Sequence, residues 1–154
     1  MFLMRSDVSI DPFARNKRWA THTNDLNPET RAEHHMGALE FLEMLEAQGI
    51  KADLVLFDPP YSRRQTLECY QGIGKDYKNQ DSQYFTLNWK NERAIIDRLL
   101  RPGGIVLSFG WHSNGMMQSG QYEVLELLLI NHGGAHNDTI CMAERKKRKR
   151  TRVV

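Results

Sequence analysis

Short apolar runs alternate with amphipathic stretches along most of the chain. The run Leu54-Val55-Leu56-Phe57 is typical of a buried strand, and apolar residues recur at helical spacing from Ala38 to Leu45. The pattern predicts strands at residues 7–11, 20–24, 33–36, 53–58 and 105–109, and helices at residues 37–48 and 90–100. Strands that alternate with helices predict a parallel α/β sheet.

The chain changes character after the fifth predicted strand. Residues 124–131 and 138–144 are rich in β-forming side chains and flank a segment that holds Gly133 and Gly134, which predicts a terminal β-hairpin. The fold class is therefore α/β, with a mostly parallel seven-stranded sheet that ends in a C-terminal β-hairpin. Residues 62–89 are polar and lack periodicity, and we expect them to form a lid or a substrate-binding loop.

Length and charge suggest one domain with a basic tail. The 154 residues are enough for a single domain, predicted at 1–144, and the net charge of +2 conceals seven basic residues within 145–152. The rest carries 14 basic and 19 acidic side chains. A basic run on an acidic body is typical of a nucleic-acid-binding arm, and a solvated tail is the alternative. The tail, 145–154, offers Arg145, Lys146, Lys147, Arg148, Lys149 and Arg150 as candidate nucleic-acid contacts.

Other compositional signals concern the compartment. No apolar run approaches the roughly 20 residues of a membrane span, and the first seven residues are too short and too charged for a signal peptide. Two cysteines fit a reducing compartment better than a disulfide framework, so we expect a cytoplasmic protein without a membrane partner. Six histidines show no convincing metal-ligand spacing, and no metal site is predicted.

The sequence Asp58-Pro59-Pro60-Tyr61 follows the most buried predicted strand. Ligands of open α/β sheets bind at the carboxyl ends of the strands, which is where these four residues would lie. A carboxylate at Asp58 and the carbonyl of Pro59 can accept both N–H bonds of an aromatic amine and so free its lone pair. Pro60 stiffens the turn, and Tyr61 can stack on an extruded base.

This motif resembles motif IV of the S-adenosylmethionine-dependent methyltransferases that modify exocyclic amines, chiefly N6 of adenine in DNA. The resemblance covers roughly residues 9–144 and suggests a minimal single-domain member with a Rossmann-like methyltransferase fold. It implies S-adenosylmethionine as cofactor, DNA as partner and transfer of a methyl group to adenine N6, with Asp58, Pro59, Pro60 and Tyr61 as catalytic residues.

The resemblance also implies where the cofactor binds. Its motif I begins at Asp11-Pro12-Phe13-Ala14, but no glycine follows in residues 15–19, and no room is left for a helix before the second strand. In place of the glycine turn, Asn16 or Arg15 can bind the cofactor carboxylate, or a second subunit can close the pocket. Asp25 matches the acid that binds the ribose hydroxyls, and Gly37 and Ala38 match the adenine-binding motif III. The implied cofactor-binding residues are Asp11, Pro12, Phe13, Ala14, Asn16, Asp25, Gly37, Ala38 and Asp58.

Two alternative functions stay open at this stage. The amine can belong to RNA, because ribosomal RNA methyltransferases carry the same four residues. The chain can also be a non-catalytic nucleic-acid-binding module on a degenerate methyltransferase fold, which the missing glycines favour. Arg63 and Arg64, just after the motif, are further candidate nucleic-acid contacts, and a homodimer or other homo-oligomer is possible.

Overall fold

The computed structural model describes residues 8–74, 89–117, 120–134 and 137–148 of the chain. Six strands and three helices lie within these residues. The strands are β1 (Ser9–Asp11), β2 (His22–Thr23), β3 (Ala52–Phe57), β4 (Leu100–Gly110), β5 (Tyr122–Ile130) and β6 (Thr139–Lys146). The helices are α1 (Ala38–Ala47), α2 (Arg63–Gly72) and α3 (Lys90–Leu99).

All six strands form one sheet in the order β2-β1-β3-β4-β6-β5. The pairs among β1, β2, β3 and β4 are parallel, whereas β6 is antiparallel to both β4 and β5. The predicted fold class and the C-terminal hairpin are confirmed. The described residues hold six strands rather than seven, because the strand predicted at 33–36 is reduced to one bridge between Asn24 and His34.

Strand β4 is longer than predicted. Pro102, Gly103 and Gly104 were expected to precede the strand, yet β4 passes through them. Ala52 of β3 pairs with Leu100 while Leu54 pairs with Ile105, so residues 101–104 form an irregularity, and β6 pairs with β4 only from Ile105 onward. The proline therefore lies where the ladder is interrupted, which is the position that a strand tolerates.

Helix α2 occupies the first part of the segment that was predicted to be a loop. The Ser62 hydroxyl accepts a hydrogen bond from the backbone N–H of Gln65 at 3.2 Å, which caps the helix. Gln65 in turn accepts the backbone N–H of Tyr61 at 2.6 Å, so the helix cap and the Asp58–Tyr61 motif are joined. Residues 75–88 of the predicted loop lie outside the described part of the chain.

The main core lies between one face of the sheet and helices α1 and α3. Phe41, Leu42 and Leu45 of α1 and Ile96 and Leu99 of α3 are at most 1% exposed. Full burial of such a side chain contributes roughly 1.5–3 kcal/mol, so this interface holds the carboxyl ends of the parallel strands in place.

Strand direction separates the two edges of the sheet. The carboxyl ends of β1, β2, β3 and β4 share one edge, and β6 begins there with Thr139 because it is antiparallel to β4. Lys146, at the other end of β6, lies at the opposite edge. Among the described residues, no helix is long and apolar enough to cross a membrane.

Candidate active site

Three carboxyl groups converge at the carboxyl edge of the sheet. Asp11 ends β1 and is only 7% exposed, Asp58 follows β3, and Asp25 follows β2. Burial raises the pKa of Asp11 to about 7, the N–H of Phe13 lowers it, and the neighbouring charges of Asp58 and Asp25 raise it further. Asp58 and Asp25 therefore both lie close enough to Asp11 for their charges to raise its pKa.

The phenol of Tyr61 donates a hydrogen bond to Oδ1 of Asp58. Asp58 is open to solvent on one side, and the protein around the other side raises its pKa. The Tyr61 hydrogen bond and the nearby guanidinium of Arg15 oppose this increase. Burial, followed by the contact with Asp58, raises the pKa of the Tyr61 phenol. The Asp58 carboxylate is thus basic, and one of its oxygens is already hydrogen-bonded.

Two further elements lie beside Tyr61. The ring centroids of Tyr61 and Trp111 are 5.8 Å apart at an interplanar angle of 66°, an edge-to-face contact with the residue that follows β4. The Thr139 hydroxyl of β6 lies near the Tyr61 phenol and lowers its pKa. Nε2 of His132 lies 3.0 Å from Oγ1 of Thr139. Thr139 and His132 were not identified from the sequence, because only the antiparallel return of β6 brings them here.

The β1–β2 turn is held to its neighbours by backbone contacts. Arg15 has a left-handed φ of 50°, and its N–H donates to Oδ2 of Asp25 at 3.0 Å. The other oxygen of Asp25 accepts the N–H of Asn27 at 2.8 Å. The Asp25 carboxylate therefore shapes this turn, and each oxygen retains a free lone pair for a hydroxyl donor.

Asn24 is a structural residue that the sequence did not reveal. Its side chain is 1% exposed, with Nδ2 donating to the carbonyls of Pro12 at 3.2 Å and Met36 at 3.0 Å. Its Oδ1 accepts the N–H of Met36 at 3.1 Å. One amide thereby joins the end of β1, the end of β2 and the approach to α1. The only sequence signal was its place beside Asp25.

The other predicted cofactor-binding residues lie on the β1–β2 turn and at the start of α1. Phe13 packs edge-to-face on Phe57 and Trp89, at 5.9 and 5.5 Å between centroids, and Ala14 is buried. Gly37 precedes α1 without a side-chain cap, and a Cβ atom at Gly37 would meet nothing within 4 Å. No side chain at Gly37 caps the N–H groups of the first turn, which begins at Ala38. Asn16 is exposed and accepts the N–H of Arg31 at 3.2 Å.

The candidate nucleic-acid contacts lie in two places. Arg63 and Arg64 begin α2, and Arg64 pairs with Glu68 at 2.8 Å. Arg145 and Lys146 belong to β6, and Lys146 pairs with Asp97 at 3.2 Å. Lys147 and Arg148 follow at the edge opposite Asp58, while Lys149 and Arg150 lie outside the described residues.

The loop after β4 rests on buried charges. Arg93 donates through Nε to the carbonyl of Gly115 at 2.9 Å, and Glu144 accepts the N–H of Met116 at 2.7 Å. Arg93 and Glu144 are each 6% exposed. This pair fixes the segment that begins with Trp111. No cluster of three or more metal-ligating side chains occurs among the described residues.

No family model and no curated protein matches the sequence. Solved structures do match the fold. SMU.776, described as a methyltransferase and complexed with SAH, superposes with a TM-score of 0.61 at 11% identity, covering 90% of this chain and 44% of that one. The fold is that of the Rossmann-like methyltransferases.

Two other solved structures support this assignment of the fold. NSun6 from Pyrococcus horikoshii with SFG has a TM-score of 0.52 at 14% identity, covering 92% of this chain and 48% of that one. The N-methyltransferase NodS from Bradyrhizobium japonicum WM9 has a TM-score of 0.52 at 8% identity, covering 95% of this chain and 93% of that one. The chain thus spans less than half the length of SMU.776 and NSun6.

Proposed function

We propose that this chain is an S-adenosylmethionine-dependent methyltransferase that acts on the exocyclic N6 amine of adenine in DNA. The observation that carries the proposal is the position of Asp58 at the carboxyl end of β3, beside Asp11 and in contact with Tyr61. In a methyltransferase fold this edge is where ligands bind. When bound, S-adenosylmethionine supplies an electrophilic methyl group on a good leaving group.

Asp58 accepts hydrogen from the target amine. Its carboxylate oxygens and the carbonyl of Pro59 draw the amine nitrogen away from conjugation with the ring, so that its lone pair faces the donor. Because burial raises the pKa of Asp58, its carboxylate is a better acceptor for the proton that the nitrogen loses on methylation. Pro60 contributes the rigid turn that keeps both acceptors in place.

Tyr61 and Trp111 form one wall of the base site. Their edge-to-face contact leaves aromatic surface at the sheet edge, and stacking of a flipped base on such a ring contributes roughly 1–3 kcal/mol. For the base amine to use both Asp58 oxygens, the Tyr61 phenol has to yield or share Oδ1.

The residues near α1 and the β1–β2 turn fit the adenosine part of the cofactor. Asp25 retains lone pairs for the two ribose hydroxyls, and the open space at Gly37 and the uncapped N–H groups from Ala38 suit the adenine. The floor of the cofactor site consists of Asp11, Pro12, Phe13 and Ala14. Asn16 is the proposed contact for the amino-acid part of the cofactor. These groups orient the cofactor and create no covalent bond to it.

Titration calorimetry with S-adenosylmethionine followed by transfer of tritiated methyl groups tests the proposal. We expect cofactor binding by the wild-type chain and by Asp58→Asn, and methyl transfer to DNA by the wild type alone. Transfer to RNA but not to DNA would replace the substrate by an exocyclic amine of RNA. If the chain binds nucleic acid but neither binds the cofactor nor transfers methyl groups, it is a non-catalytic binding module.

A further inference from the structure

The turn between β1 and β2 presents an unusual surface beside the candidate active site. Residues 15–19, Arg15-Asn16-Lys17-Arg18-Trp19, are all exposed, and Trp19 is 64% exposed. Nζ of Lys17 lies 5.2 Å from the centroid of the Trp19 ring. This surface is both aromatic and basic, and three cations in five residues suit an anionic partner.

The turn is also close to the reacting groups. The charge of Arg15 lowers the pKa values of both Asp58 and Tyr61, so its guanidinium lies within electrostatic reach of both. The backbone N–H of Ala14 bonds the carbonyl of Asn24 at 2.9 Å, which anchors the base of the turn to β2. The surface is therefore fixed to the carboxyl edge of the sheet.

Charge distribution distinguishes this turn from the basic tail. Residues 12–24 contain three basic side chains and no acid, whereas the chain outside residues 145–152 has an excess of acidic side chains. The tail leaves the sheet after Lys146, whose ammonium bonds the carbonyl of Leu100 at 3.2 Å at the opposite edge. The turn therefore places three cations at the edge of the sheet that carries Asp58.

We propose that the turn of residues 15–19 binds the single-stranded polynucleotide that flanks the target nucleotide, an inference that rests on the proposed function. Trp19 stacks on an unpaired base next to the target, and Lys17 and Arg18 contact phosphates. Such pairing of an aromatic platform with cations is how proteins hold single strands without reading their sequence. The absence of a glycine turn after Asp11 is then the consequence of a second role for this segment.

Fluorescence anisotropy with a labelled adenine-containing single strand tests the turn. We expect the double variant Lys17→Gln/Arg18→Gln to bind more weakly and to reduce the slope of log affinity against log salt by about 1.4, because each phosphate contact on a single strand contributes about 0.7. Trp19→Ala should lose roughly 10-fold in affinity and Trp19→Phe should recover part of it. The matched control, Lys51→Gln/Arg98→Gln, removes the same charge at the opposite edge and should bind like the wild type.

If the Lys17→Gln/Arg18→Gln variant has the same affinity and salt slope as the wild type, the inference is overturned. The same follows if the Lys51→Gln/Arg98→Gln control loses as much affinity as that variant. A wild-type chain that binds no polynucleotide also overturns it. Cofactor titration and methyl transfer on the same proteins separate the two proposals. If polynucleotide binding depends on the turn but no methyl transfer occurs, the role of the turn is supported and the proposed function is overturned. If the wild type transfers methyl groups and the Lys17→Gln/Arg18→Gln variant keeps the same KM for the strand, the proposed function stands and the role of the turn is overturned.

Discussion

The hydroxyl of Tyr61 is hydrogen-bonded to the Asp58 carboxylate, within the four-residue motif that begins with that acid. This contact lowers the pKa of Asp58 against the effect of burial. The motif therefore regulates the basicity of its own carboxylate, and the aromatic ring and the phenol of Tyr61 have separable roles.

Tyr61→Phe should retain the stacking surface and raise the pKa of Asp58, because the phenol hydrogen bond is lost. If the ionised carboxylate is the active form, activity disappears as the pH falls through its pKa. The acid limb of the methyl-transfer profile should then move to higher pH. Trp111→Phe is the control, since it preserves an aromatic neighbour and the phenol, and its acid limb should not move. An unmoved limb in Tyr61→Phe would mean that the hydrogen bond is absent during turnover.

The buried Asp11 carboxyl should make the protein less stable as the pH rises. The group has an ordinary pKa of 3.8 and a folded-state pKa of about 7. Between these values the unfolded chain releases the proton and the folded chain retains it, so the free energy of unfolding falls across about pH 4–7 and is constant above. A shift of this size corresponds to at most about 4 kcal/mol.

Asp11→Asn should flatten that pH dependence because the amide oxygen can still accept the N–H of Phe13 without ionising. Urea denaturation at pH 4.5 and pH 8 measures the difference for both proteins. Asp53→Asn is the opposite control: Arg101 lowers the pKa of Asp53, so the stability contributed by Asp53 is present at high pH and lost in acid. A parallel pH dependence in wild type and Asp11→Asn would contradict the raised pKa.

The Asn24 amide should be more important for stability than its surface neighbours. Asn24→Ala removes three hydrogen bonds and leaves groups of Pro12 and Met36 without those partners, at about 1–3 kcal/mol for each buried group that stays unsatisfied. We expect Asn24→Ala to lower the free energy of unfolding, measured by urea denaturation, by about 2–4 kcal/mol. Asn27→Ala loses one acceptor for the N–H of Glu29 and should lose less than about 1 kcal/mol. Equal losses would show that the buried amide has no special role.

Local patterns predicted the elements that place the chemistry. A continuous apolar run identified β3, and Asp58 follows its carboxyl end as predicted. The same reasoning placed Asp11 beside it. Helix α2 carried a readable signal that the prediction overlooked, because Ser62 and Gln65 have the spacing of a capping box. Its polar residues lack strong periodicity, which favoured a loop.

Long-range contacts could not be predicted in this way. The position of Thr139 near Tyr61 depends on the register in which β6 returns along β4, where Gly110 faces Ile140. Asn24 and Asp25 are both turn-forming residues, and only burial distinguishes the structural amide from the acid at the surface. The exposure of Trp19 is likewise seen only in the fold, because nothing in the sequence distinguishes it from a buried tryptophan.

Gly115 should be the least replaceable glycine of the loop that carries Trp111. A Cβ atom at this position would lie 2.0 Å from Cε of Met142 and 2.1 Å from Oε2 of Glu144, and φ is +51°. Gly115→Ala must therefore displace the Glu144 carboxylate that holds the N–H of Met116, in addition to adopting a left-handed backbone. Gly120→Ala, with φ +88° and nothing within 4 Å, pays the backbone cost alone, about 1–2 kcal/mol.

The comparison isolates the steric effect of the close approach. We expect Gly115→Ala to lower the free energy of unfolding by about 2 kcal/mol more than Gly120→Ala does, as measured by urea denaturation. This is within the range found when a well-packed site is overfilled. Because the same loop positions Trp111 against Tyr61, Gly115→Ala should also raise the KM for the polynucleotide, whereas Gly120→Ala should not. Equal stabilities for the two variants would mean that the loop relaxes away from Glu144 at little cost, and that the buried Arg93 and Glu144 do not fix its position.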